Sequence, residues 1–91
     1  MNEEFLLKYV PADQDITNRE EIDLIIKELN LYSKTKKELH DLRDNIVEFY
    51  QPYIDKQFDK QTDHNYWQAM LSVTAVIDKQ IYHHIYKEEG I

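Results

Sequence analysis

Apolar residues recur along this chain with the 3.6-residue period of an amphipathic helix, and four stretches carry the pattern. Phe5, Leu6, Tyr9 and Val10 form one apolar edge on a short helix, with Asn2 placed to cap it, Glu3 and Glu4 in its first turn and Pro11 to end it. Ile22, Ile25, Ile26, Leu29 and Tyr32 form a second stripe. It follows Thr17-Asn-Arg-Glu20, a capping-box pattern that starts a helix at about Asn18. A second box, Thr35-Lys-Lys-Glu38, predicts a break around Ser33 to Thr35 and a new helix beyond it. There Leu39, Leu42, Ile46, Phe49, Tyr50, Tyr53, Ile54 and Phe58 keep helical spacing, with Pro52 inside the pattern. A proline in a helix interior removes a backbone donor and clashes with the preceding turn, so a kink or restart near Gln51 is expected. The predicted helices run over 2–10, 18–33, 36–60 and 64–88, the last capped by Thr62 or Asp63. Together they predict an all-α bundle of three main helices and a short N-terminal one, in a single domain.

The last segment differs from the others. Trp67, Met70, Leu71, Thr74, Ile77, Ile81 and Ile85 make one stripe, while Val73, Ala75 and Val76 put apolar groups on the remaining sides. A helix apolar around most of its circumference is normally central. A 91-residue chain buries only about 60–65% of the surface it exposes when unfolded, so this helix is expected to exceed what the other three can cover. A second copy or another protein would complete its burial, and a homodimer is one expectation.

Composition supports the helical reading. One glycine and two prolines leave little of the chemistry of tight hairpin turns. Charge then narrows the partners. The net charge is −7, and residues 1–30 hold eight acids against three bases. Nucleic-acid binding needs a basic footprint, and the one cluster present is Lys34, Lys36 and Lys37, so no nucleic-acid partner is expected. No membrane span is expected either, because the longest uncharged run, Asn65 to Ile77, is shorter than the roughly 20 apolar residues a bilayer requires. The absence of cysteine and the acidic start MNEEFLLKYVP fit a cytoplasmic protein.

Candidate chemistry is sparse. Glu20/Asp23 and Glu38/Asp41 each set two carboxylates on one helical face, a pattern that resembles the paired E-x-x-E/D motifs with which all-α MazG-type nucleotide pyrophosphohydrolases hold magnesium. The resemblance extends to no other residue, and pairs of this kind arise readily among 18 acids in a helical chain. His83 and His84 are adjacent and point about 100° apart on a helix, which suits no shared ion. His40 and Asp44 face each other one turn apart without a third ligand, and His64 reads as a surface residue. No nucleophile elbow, phosphate loop or Cys-based metal site can be drawn, so neither an enzyme nor a cofactor is expected.

Aromatic residues remain. Tyr and Trp anchor protein interfaces more often than most residues, and Tyr50, Tyr53, Tyr66, Trp67, Tyr82 and Tyr86 exceed what a thin core can hold with its hydroxyls satisfied. These six are the expected contact residues. The expectation is a small non-enzymatic protein-binding regulator or inhibitor, of phage or mobile-element type. An immunity-type protein that protects against a toxin is an alternative, and a MazG-like hydrolase is another.

Overall fold

The computed structural model describes residues 2–11, 18–59 and 65–88, with side chains through Lys56 in the second stretch and Ile85 in the third. Within them the chain is all-α: α1 (Glu3–Lys8), α2 (Arg19–Glu28), a 3₁₀ turn (Leu31–Ser33), α3 (Lys36–Asp59) and α4 (Tyr66–Glu88).

Local capping chemistry sets most of the boundaries. Asn2 Oδ1 accepts from Phe5 N at 3.1 Å and starts α1 as expected. The cap of α2 is Asn18, whose Oδ1 accepts from Glu20 N and Glu21 N; Thr17 lies outside the described residues, and so do Thr62 and Asp63. Asn65 caps α4 in their place, accepting from Gln68 N at 3.3 Å. The Thr35–Glu38 box forms in both directions: Glu38 N donates to Thr35 Oγ1, and Thr35 N donates to Glu38 Oε1. The hydrogen bonds that its carboxylate receives from Thr35, the backbone N–H first and then the side chain, hold the Glu38 carboxyl below its ordinary range because they favour the anion.

Two boundaries differ from the expected ones. The second helix stops at Glu28, short of residue 33, because Asn30 takes a left-handed conformation with φ 53°, which a short polar side chain tolerates better than most. The turn behind it buries Leu31 and swings Tyr32 outward, so Tyr32 leaves the stripe that its spacing predicted. The restart expected near Gln51 does not occur, since α3 runs unbroken through Pro52. Pro52 and Glu48 both face solvent, where water can satisfy the carbonyl that the proline ring leaves without an amide donor.

α3 and α4 form an antiparallel hairpin. Arg43 Nε reaches Asp78 Oδ1 at 2.8 Å near one end, and Tyr53 meets Tyr66 at the other. The ion pair is half-exposed, so it fixes register more than it adds stability. α1 and α2 also run antiparallel, with Asn2 bonded to Glu28 and Tyr9 to Glu21, and together they close one side of the hairpin. The particle measures 48 × 24 × 18 Å. Its shorter dimensions are about two helix diameters, so both long helices must leave a side uncovered.

On α4 the covered side keeps Met70, Thr74, Ile77 and Ile81 of the expected stripe but is centred elsewhere. Ser72, Val76, Ala69, Gln80, Val73, Ile77, Met70, Ile81 and Thr74 are buried and span roughly 200° of the helix. Trp67 and Leu71, placed in the stripe by spacing, are exposed instead, so the buried side is turned by about one residue, or roughly 100°. Val73 and Val76 are 0% and 1% exposed within the single chain, which overturns the expectation that they need another molecule to cover them. The reason lies in shape: Ala69, Ser72, Val73 and Val76 are small or β-branched and let neighbouring helices approach closely, which the bulkier Trp67 and Leu71 do not.

Candidate interaction surface

The six aromatic residues singled out by composition separate into three environments. Tyr50 is 0% exposed, and its hydroxyl donates to the Leu6 carbonyl at 2.7 Å, tying α3 to α1. It is a core residue that presents no surface in the single chain; its hydroxyl is satisfied because α1 ends nearby and leaves that carbonyl without a helical donor. Tyr53 and Tyr66 are half-buried, and with Phe49 and Tyr50 they form a chain of tilted and edge-on ring contacts with centroids 5.2–6.3 Å apart. These rings edge the core. Trp67 and Tyr82 are 46% and 62% exposed. The side chain of Tyr86 lies outside the described residues.

Trp67 and Tyr82 belong to one surface. At 100° per residue, Trp67, Asp78, Leu71, Tyr82 and Ala75 fall in that order within about 80° of the α4 circumference, on the arc left open by the helices behind it. Leu71 and Ala75 are exposed there, and half-buried Ile85 continues the row at its C-terminal end. Asp78, held by Arg43, is the charged member. A large exposed apolar row on a helix marks an interaction site more often than isolated surface residues do.

Known protein families, characterised proteins and solved structures offer no match to this chain.

The acidic and imidazole candidates do not converge. Glu20, Asp23, Glu38 and Asp41 are all exposed, and Glu38 is engaged in the α3 cap. Among the described residues no three His, Asp or Glu side chains gather as they would around a metal ion. His40 and Asp44 line a groove with Arg43 and Asp78, while His83 and His84 line a different one, and His64 is outside the described residues. No helix among the described residues is long and apolar enough to cross a membrane.

Two residues that sequence reasoning missed stand out. Tyr32 is 76% exposed on the 3₁₀ turn, and the signal that could have found it was Asn30, a residue that tolerates the left-handed turn that ended α2 early. Gln80 is buried in α4, and no spacing rule separates it from a surface glutamine.

Two tyrosine hydroxyls give the fold a pH signature. Burial, then a hydrogen bond to Glu21, pushes Tyr9 well above tyrosine's ordinary 10.0. Burial, then the neighbouring Tyr66, does the same to Tyr50. Both keep their protons in the folded chain where the unfolded chain releases them, so the unfolded state binds fewer protons above about pH 10 and stability falls with rising pH there. Melting temperatures recorded from pH 8 to pH 11 are expected to stay level up to about pH 9 and then fall. In Tyr50→Phe the fall is expected to be shallower; an unchanged slope would remove Tyr50 from this account.

Proposed function

We propose that this chain is a non-enzymatic protein-binding regulator or inhibitor that docks on its partner through the open arc of α4. One observation carries the reading: Trp67, Leu71 and Tyr82 share a face that the rest of the chain leaves in solvent, although each is a residue type that gains from burial. The excess of acids in residues 1–30 supports electrostatic steering toward a basic partner surface. The cytoplasm is the compartment that the cysteine-free composition favours. A second copy of the chain is the other candidate for the arc, since Ala75 near its middle lets two such helices approach, although the shared acidic charge opposes that pairing.

The test separates docking from folding. Trp67→Ala and Leu71→Ala remove partly exposed groups, so each is expected to cost less than about 1 kcal/mol of stability. Sedimentation or light scattering of the wild type establishes self-association, and affinity capture establishes a foreign partner. Both variants are expected to abolish whichever association is found while melting near the wild-type temperature. Association that survives both substitutions would place the contact elsewhere, and a large loss of stability would make Trp67 a structural residue.

A further inference from the structure

Gln80 is a polar side chain that the packing of α4 does not account for. It keeps 9% of its surface in contact with solvent. The other two buried polar residues of the helix have polar neighbours: Thr74 Oγ1 donates to the Met70 carbonyl at 2.8 Å, and the Ser72 hydroxyl lies beside that of Tyr9. The Gln80 carboxamide has no hydrogen-bond partner among the described residues. Buried amides are almost always paired, and one left unpaired needs an explanation.

The surroundings of Gln80 supply one. It lies in the lining of a cleft of about 330 Å³ between the 3₁₀ turn and the C-terminal half of α4, together with Leu31, Tyr32, His83 and His84. That volume lies at the lower end of the range of small-ligand pockets, roughly 300–1,000 Å³. Leu31 is buried and forms an apolar floor, Tyr32 stands out as a mostly exposed wall, and the two imidazoles flank the helix side. No Lys, Arg, Asp or Glu is among these lining residues. The described lining residues offer a carboxamide, a phenol and two imidazoles over an apolar floor, a lining that suits an uncharged hydrogen-bonding ligand.

The chemistry of the carboxamide narrows it further. One oxygen accepts and one nitrogen donates, side by side on a planar group. The N–H and C=O of a single residue in an extended chain point to the same side, which is how neighbouring strands exchange paired bonds. A carboxamide can take the place of that neighbour. We propose that the cleft binds an extended, uncharged peptide segment, with Gln80 pairing to the N–H and C=O of one residue and Tyr32 covering its side chain. The site is separate from the open arc of α4, so it stands or falls independently of the docking function proposed above.

Amide NMR of the full chain tests this through the Gln80 side-chain Nε2 resonances. The probe is N-acetyl-Ala-Leu-Ala N-methylamide, with adenosine in parallel, because a nucleobase edge also offers an adjacent donor and acceptor. The blocked peptide is expected to give saturable shifts at Gln80 and Tyr32, and binding roughly ten-fold weaker in Gln80→Met and in Tyr32→Ala. Gln80→Glu keeps an acceptor, loses the donor, and is expected to weaken binding as well, which covers a failure of Gln80→Met to fold. Absence of a saturable shift, equal binding by the Gln80 variants, or shifts with adenosine alone would each overturn the proposal.

Discussion

Tyr50→Ala is expected to destabilise the chain by about 3–5 kcal/mol, which is a large part of the 5–15 kcal/mol that holds a typical domain together. The side chain is wholly buried, and it touches Phe49 and Tyr66 as well as bonding to Leu6. Its removal leaves a cavity that a two-helix-thick particle has little material to refill. It also releases the carbonyl of Leu6, and with it a tie that holds the six-residue α1 against α3. Tyr50→Phe isolates that second effect, since the ring stays and the hydrogen bond goes; about 1–2 kcal/mol is expected for it. Urea denaturation followed by circular dichroism measures both, with the midpoint shift read at constant slope. A midpoint for Tyr50→Ala within a few tenths molar of the wild type would mean that the ring is not in the core. Partner loss in Tyr50→Ala carries no information about contact, because the residue presents no surface to a partner.

Tyr50 also shows where the sequence was legible and where it was not. Helical spacing placed it correctly on the buried stripe of α3 beside Leu39, Leu42, Ile46 and Ile54, and the structure buries all five. Composition alone then suggested that it contacts a partner. A count of aromatic residues holds no information about which hydroxyl finds an acceptor, and the Leu6 carbonyl is 44 residues away in the chain. Caps were readable because Asn and Thr act on amides two or three residues ahead, as Asn2 and Thr35 do. The facing of α4 was not readable. When apolar residues occur on every side of a helix, the period gives no unique direction, and the fit of small side chains against neighbouring helices decides. Trp67 was therefore expected in the buried stripe by spacing and at an interface by residue type, and its exposure overturns the first.

Pro52→Ala is expected to stabilise the protein by about 2 kcal/mol. Proline in a helix interior is about 3 kcal/mol less favourable than alanine, because it lacks the amide that would bond to the carbonyl of Glu48 and its ring crowds that carbonyl. Against this, proline restricts the unfolded chain, and losing that restriction costs about 0.4–1 kcal/mol. For a chain of this size the balance corresponds to a rise in melting temperature of roughly 10 °C. Pro52 is exposed, so the substitution removes no buried contact. What opposes the gain is geometry: Tyr50, Tyr53 and Ile54 lie on either side of Pro52 and pack against the core or its edge, and any bend imposed by the ring is shared with their positions. Calorimetry of Pro52→Ala distinguishes the two effects. A rise shows that the core accepts a straight α3. An unchanged or lower melting temperature would show that the bend belongs to the packing, and that the proline holds the aromatic edge formed by Phe49, Tyr53 and Tyr66 in place.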